Sequence, residues 1–250
     1  VLVLDRPNPL GGEAGEGPLV EPGFESFIGI APLPVVHGMT TAEIALWMNA
    51  ACSLNADLKV MRMQGWQRSM NFEAAGLLWI PTSPGMPHLS TVFVYPCTCL
   101  FEGTNFSEGR GTPLPFEIFG APGVDGFNLA ERMNRLDLPG VRFRPTVFTP
   151  FDSKYAGQVC QGVQVHVHTP KTFRPLYTAM HLMRNILQTC PGFSFLETSW
   201  EGTHPHLDLL LGNDRVRQQL LNSLPVQQIC SEWNEIRLRF EKQRKEFLLY

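Results

Sequence analysis

The rhythm of apolar and polar residues changes several times along the chain, and each rhythm predicts a different element. Val1 to Leu4 are four apolar residues in a row, the pattern of a strand covered on both faces in a parallel α/β sheet. "DRPNPLGG" follows as the loop at its carboxyl end, where open α/β sheets bind ligands, so Asp5, Arg6 and Asn8 emerge at a favoured place. In "PLPVVHGMTTAEIALWMNAAC" a loop enters a helix. Thr40-x-x-Glu43 fits a capping box, and Ile44, Ala45, Trp47 and Met48 supply the apolar stripe. His37 stands just before that cap, near the positive end of the helix. "DLKVMRMQGW" predicts another strand, which leads into the Pro/Gly-rich loop "WIPTSPGMPHL".

From Ser90 the pattern is mixed. "TVFVY" has strand composition, whereas Ser90 fits a helix cap and the run continues past Pro96 through Leu100 and Phe101 to a stop at Gly103; helix is the favoured assignment. "VRFRPTVFTP" and "GVQVHVHT" predict strands, with Val163, Val165 and Val167 alternating with polar residues. Thr172 to Thr189 predicts an amphipathic helix carrying Leu176, Met180, Met183 and Leu187, ended by Cys190-Pro-Gly. Two more helices are predicted over Asp214–Asn222 and Val226–Phe247. In the second, Ile229, Trp233, Ile236 and Phe240 recur at helical spacing, as a core stripe does. The fold class is therefore α/β: an α/β remnant over residues 1–96, then a smaller α+β domain over 97–250. The chain opens directly inside an apolar strand with neither initiator Met nor signal peptide, so it is expected to be the carboxyl-terminal part of something longer.

Composition narrows the classes of function. At 250 residues the chain can bury an ample core, and no apolar run approaches the roughly 18–20 residues of a membrane span. A net charge of −3 without a Lys/Arg block argues against nucleic acid as a partner. The six cysteines lie in apolar surroundings and are expected as buried free thiols; Cys97-x-Cys99 lacks the spacing of a zinc knuckle or redox pair. No nucleophile elbow, phosphate loop, zincin pair or dinucleotide fingerprint occurs. His166-x-His168 and His204-x-His206 together suggest a zinc hydrolase, but no acid or thiol near either pair completes a ligand set. Solvent-facing histidines are the favoured reading, and neither a metal nor a cofactor is predicted.

"YPCTCLFEGTNFSEGRGTPLPFE" has a composition that neither a core strand nor a helix would use. Gly103, Gly109 and Gly111 allow unusual or closely approached backbone. Thr104, Asn105, Ser107 and Thr112 match hydroxyl-rich ligands, Glu102 and Glu108 are available carboxylates, and Arg110 can form a fork with a ligand carboxylate. Paired with "DRPNPLGG", this loop fits a sugar site in which carboxylates transfer protons and amides read hydroxyls. Trp66, Trp79 and Tyr95 are candidates for stacking on a sugar ring, with core packing as the alternative for each.

These motifs, with "SFIGIAPLPVVHGMTTAEIA" and the terminal "FLLY", resemble the NamZ (YbbC) family of exo-β-N-acetylmuramidases, and the resemblance runs from first residue to last. It implies a bacterial glycoside hydrolase that removes terminal non-reducing N-acetylmuramic acid from peptidoglycan fragments by acid/base chemistry. The implied architecture is a Rossmann-like amino-terminal domain, a smaller carboxyl-terminal domain and a cleft between them. The family's Pro-Glu-His-Gly motif does not occur here, so the chain is expected to lack an upstream segment that carries the leading catalytic glutamate. Cys97, Gly85 and Ala42 stand where the family pattern has Gly, Asn and Gly. On that pattern the catalytic candidates are Glu102, Glu108, His37 and Asp5. The substrate-binding candidates are Arg6, Asn8, Tyr95, Asn105, Ser107 and Arg110, with Arg110 or Arg6 on the lactyl carboxylate of muramic acid. Muropeptides or disaccharides are the implied partners, and the cell envelope or its surroundings the implied location. A non-catalytic, muropeptide-binding fragment is the alternative.

Overall fold

The capping box predicted at Thr40 forms. Its hydroxyl accepts from Glu43 N while the Glu43 carboxylate accepts from Thr40 N, and helix α1 (Thr41–Ala51) begins there. The computed structural model describes every residue except Ala14, Glu201 and Thr203. Helix α1 connects two parallel strands, β1 (Leu2–Leu4) and β4 (Lys59–Met61), whose register runs from Leu2 opposite Lys59 to Leu4 opposite Met61. This βαβ unit is the Rossmann-like part of the chain. An antiparallel pair, β2 (Glu16–Leu19) and β3 (Pro34–Val36), is inserted between β1 and α1. One expectation needs correction: β1 is not covered on both faces. Leu2, Leu4 and Met61 are exposed, because β4 is the only strand paired with β1 among the described residues.

The ambiguous run after Ser90 is helix α2 (Leu89–Thr98). His88, not Ser90, occupies the cap, and the Ser90 hydroxyl donates instead to Glu117. Pro96 lies inside the helix, which continues as a 3₁₀ turn over Cys99–Gly103. Then follow β5 (Ile118–Ala121), α3 (Gly126–Arg135), β6 (Val141–Phe148) and β7 (Cys160–Val167). These strands form an antiparallel sheet in the order β5-β7-β6. Helix α4 is Pro175–Thr189, three residues shorter at its start than predicted, because Thr169–Phe173 closes a turn through Thr172 N and Phe173 N to Thr169 O. The chain ends with α5 (His206–Leu211), α6 (Arg215–Leu221) and α7 (Val226–Arg244). No helix among the described residues is long and apolar enough to cross a membrane.

Two cores result. In the larger, α2 and α4 pack on the three-stranded sheet, Phe101 stacks on Phe119 at 4.4 Å, and Leu176, Met180 and Met183 are fully enclosed. The smaller joins Trp47 of α1 to Phe240. The stripe predicted on the last helix serves both, since Ile229 and Trp233 enter the larger core and Phe240 the smaller. All six cysteines are unbridged, and Cys97, Cys99, Cys160 and Cys230 are buried.

Gly120 and Gly162 face each other across β5 and β7, and their missing side chains allow the sheet to close. A Cβ on Gly162 would lie 2.0 Å from the Phe119 carbonyl oxygen, and one on Gly126 at the start of α3 would lie 2.3 Å from the Gly162 carbonyl oxygen. These obstacles are backbone atoms, which no rotamer change moves. Gly162→Ala is therefore expected to destabilise the protein by about 3 kcal/mol, the upper end for overpacking, measured as a lowered denaturant midpoint.

Candidate functional site

The loop that follows the 3₁₀ turn folds around its own charges. Gly109 (φ 78°) and Gly111 (φ 74°) turn the backbone so that Arg110 reaches back eight residues. Its Nη2 and Nε lie 2.6 and 3.2 Å from Glu102 Oε1, and Nε lies 3.4 Å from Glu108 Oε1. The guanidinium sits 4.7 Å over the Phe116 ring, against whose other side-chain neighbour, Tyr95, the ring packs edge-on at 4.8 Å. On the inner side, Lys154 Nζ donates to Glu108 Oε2 at 3.0 Å and to the carbonyls of Phe101, Glu102 and Phe106.

The two acids thus differ in availability. The Glu108 side chain is 3% exposed and sealed against Lys154, whereas Glu102 is 21% and Arg110 43% exposed. Burial holds the Glu102 carboxyl above the ordinary carboxylate range, with Arg110 opposing that shift. Burial, with Cys99 and Glu102 nearby, likewise raises the Tyr95 phenol. Ser107 is buried; its hydroxyl accepts from Gly109 N and its backbone pairs with Gly120. The Asn105 amide donates to Gly192 O at 2.7 Å and accepts from Ser194 N at 2.9 Å. Ser107 and Asn105 therefore shape the loop from within.

The first loop is built differently. Asp5 is buried and its carboxylate accepts four hydrogen bonds: from Arg6 N, Ala42 N, the Thr40 hydroxyl and the Tyr250 hydroxyl, all at 2.8–2.9 Å. Asn8 accepts from Leu10 N and donates to Met39 O. Arg6 is exposed. His37 Nδ1 accepts from Met39 N, and burial followed by the Arg244 charge lowers its pKa to about 4, so the imidazole is neutral at pH 7. Behind these residues, Arg68 pairs with the buried Glu43 and donates to the carbonyls of Gly12 and Gly38, while Arg244 donates to those of His37, Gly38 and Glu13.

A cavity of about 650 Å³ lies beyond this loop, past the carboxyl ends of β1 and β4. Its walls are the glycine-rich Leu10–Glu13 and Gly15–Gly17 segments, Arg68, Ser69 and Asn71, the 170–175 turn and one face of α7 with Trp233. A hollow of about 260 Å³, which holds Glu117 and His166, shares Phe93 and Pro170 with it. Phe93 and Tyr95 are two residues apart on α2, about 200° around the helix. Phe93 lines the cavity and Tyr95 packs at the Arg110 loop, so α2 stands between the two polar regions.

The paired histidines do not converge. His166 and His168 are exposed at the end of β7, His204 stacks on Phe24 at 4.6 Å, and His206 packs against Trp200 at the start of α5. Among the described residues no cluster of three or more His, Cys, Asp or Glu could hold a metal ion. Trp66 is buried edge-on to Tyr250, and Trp79 packs edge-on to Phe72, so both serve packing. Sequence reasoning missed Lys154, Arg68, Lys171 and Arg174. Each is a single basic residue in an ordinary-looking segment, with no local pattern to mark it.

Residues 1–90 match the family profile described as exo-β-N-acetylmuramidase NamZ, N-terminal, and residues 93–250 match its C-terminal counterpart. The whole chain is 42% identical to the peptidoglycan β-N-acetylmuramidase NamZ of Bacillus subtilis strain 168, and spans 59% of that protein's length. Two crystal structures of DUF1343 family proteins from Bacteroides fragilis cover the whole chain. One has a TM-score of 0.90 at 32% identity and the other 0.78 at 30%; the chain spans 66% and 65% of their lengths.

Two outcomes test this geometry. Lys154→Met leaves the buried Glu108 carboxylate with Arg110 Nε at 3.4 Å as its remaining cation and is expected to cost about 3 kcal/mol by denaturant unfolding, the low end for a broken buried pair, with part restored in Glu108→Gln/Lys154→Met. His37 has an ordinary value of 6.5 when unfolded and about 4 when folded, so the unfolded chain protonates first on acidification. Its contribution to stability is present above pH 6.5 and lost as the pH falls towards 4. His37→Asn, which keeps an acceptor for Met39 N, is expected to flatten the fall of Tm across that window.

Proposed function

The chain belongs to the NamZ family of exo-β-N-acetylmuramidases, and from that premise we propose that it forms part of a bacterial glycoside hydrolase releasing terminal, non-reducing N-acetylmuramic acid from peptidoglycan fragments. The observation that carries this reading is the state of Glu102. Of the two acids in the loop it is the one open to solvent, and burial raises its carboxyl above the ordinary carboxylate range, against the opposing pull of Arg110. A proton donor to a glycosidic oxygen needs both properties. Arg110 orients that carboxyl through two hydrogen bonds and stabilises the carboxylate once the proton has left.

The remaining candidates divide by their contacts. Glu108, Asp5, Asn8, Asn105 and Ser107 hold the two loops in shape, while Arg6 is exposed and Tyr95 packs edge-on against Phe116. His37 is neutral and backs the glycine loop. The substrate belongs to the bacterial cell wall, so the proposed place of work is the cell envelope or its surroundings.

In a protein extended to the full length of its relatives, Glu102→Gln is expected to lower release of N-acetylmuramic acid from a muramic-acid-terminated disaccharide by about 10²–10⁴-fold, with disaccharide binding by calorimetry retained. Release at the unsubstituted rate would remove Glu102 as the acid. Binding without any release by the unsubstituted protein would make it a carbohydrate-binding protein instead.

A further inference from the structure

Four charged side chains at the Arg110 loop alternate in sign from the interior outward: Lys154, Glu108, Arg110 and Glu102. Each touches the next. Lys154 Nζ lies 3.0 Å from Glu108 Oε2, Arg110 Nε 3.4 Å from Glu108 Oε1, and Arg110 Nη2 2.6 Å from Glu102 Oε1. Arg110 is therefore shared between two acids, with its closer contacts on Glu102. Both of those reach Oε1, and Glu102 Oε2 makes no hydrogen bond among the described residues.

Lys154 comes from the loop between β6 and β7, and the backbone there is bent to deliver it. Ser153 (φ 69°) and Tyr155 (φ 60°), on either side of it, both adopt the left-handed conformation that residues other than glycine avoid. The Tyr155 hydroxyl anchors the loop by donating to Asn105 O at 2.8 Å. Gly111 closes on the same loop: a Cβ there would lie 2.4 Å from Asp152 O, and Phe151 N donates to Gly111 O. Two strained residues and a glycine contact thus hold one ammonium against Glu108.

We infer that Lys154 is a positioning residue for the Glu102 acid: it satisfies Glu108 from the inner side, leaves Arg110 to Glu102, and so sets how strongly Glu102 holds its proton. The catalytic meaning rests on the function proposed above; the chain of charges does not. Without the ammonium, Glu108 draws Arg110 inward, and Glu102 loses both its partner and a nearby positive charge. Without the Glu108 charge, Arg110 belongs to Glu102 alone and a like charge is gone. The two losses act on Glu102 in opposite directions. The other titratable groups facing Glu102 are Tyr95 on α2 and Cys99 at the start of the 3₁₀ turn. Burial raises both above their ordinary values, so both are neutral at pH 7 and leave the balance to the four charges.

An NMR titration of the protein with carbon-13 in its glutamate carboxyls, the Glu102 signal assigned through Glu102→Gln, reads that proton directly. Lys154→Met is expected to move the Glu102 midpoint to higher pH and Glu108→Gln to lower pH, with the double variant returning towards the unsubstituted value. An acid catalyst fails once it has lost its proton, so it sets the alkaline limb of the rate profile. In a protein extended to the full length of its relatives, that limb for N-acetylmuramic acid release is expected to move up with Lys154→Met and down with Glu108→Gln. Structural damage alone lowers the rate at every pH and leaves the limb in place. Glu108→Gln still decides the matter if Lys154→Met fails to fold, because Lys154 keeps its three carbonyl partners there. A midpoint that stays put, or that both substitutions move the same way, overturns the inference. Midpoints that move as stated while the rate profile stays fixed uphold the chain of charges and remove Glu102 as the acid.

Discussion

Everything at the amino-terminal end of this chain depends on how one buried carboxylate is satisfied. Asp5 lies at the end of β1, and burying it without partners would cost several kcal/mol. The fold supplies four donors from three places: its own loop, the start of α1, and the last residue of the chain. The Tyr250 hydroxyl both donates to Asp5 and accepts from Met63 N, and so bridges the carboxyl ends of the two parallel strands. Beside it, Glu43 accepts from Thr40 N, Leu249 N and Arg68. The helix cap, the glycine loop and the chain terminus are thus one polar joint, and the cavity beyond the strand ends inherits its shape from it.

The Arg110 loop solves the same problem of buried charge in another way. Glu108 is satisfied from inside by Lys154, which releases Arg110 to lean outward over Phe116 and meet Glu102. Two like charges close together raise each other's proton affinity, and Glu108 does act in that direction on Glu102. Desolvation is the larger cause, however, and Arg110 works against it. A half-covered acid with an arginine at its side is the outcome, while its neighbour is closed off. The difference lies in burial, since both residues are glutamates in one short loop.

What could be read from the sequence was mostly what is decided locally. The capping box at Thr40 involves residues three apart, and the valines of β7 alternate within one strand, so both were legible. Helix α5 is only six residues long, and β5 is four residues with two small ones, too short for any period to register. Helix α3 was overlooked because a polar face outweighs its few apolar positions, Leu129, Ala130 and Met133. At the site, the polar loop was recognisable by its composition, but the division of labour inside it was not. That division depends on partners far along the chain: Lys154 for Glu108, Gly192 and Ser194 for Asn105, Tyr250 for Asp5. Exposed strand residues Leu2 and Leu4 were misjudged for a related reason, because a run of apolar residues records what a strand can bury and not what covers it.

The Asp5 joint also bears on how the protein is made. A ribosome delivers Asp5, Thr40 and Glu43 well before Leu249 and Tyr250. Domains generally fold from the amino terminus as they emerge. Here β1 and α1 meet with Asp5 Oδ2 held by the Thr40 hydroxyl and Glu43 Oε1 by Arg68, and the second donor to each, Tyr250 and Leu249 N, follows later. The two ends of the βαβ unit lock only after α7 has been made, so a chain cut before Leu249 would leave the joint between β1 and α1 without its latch.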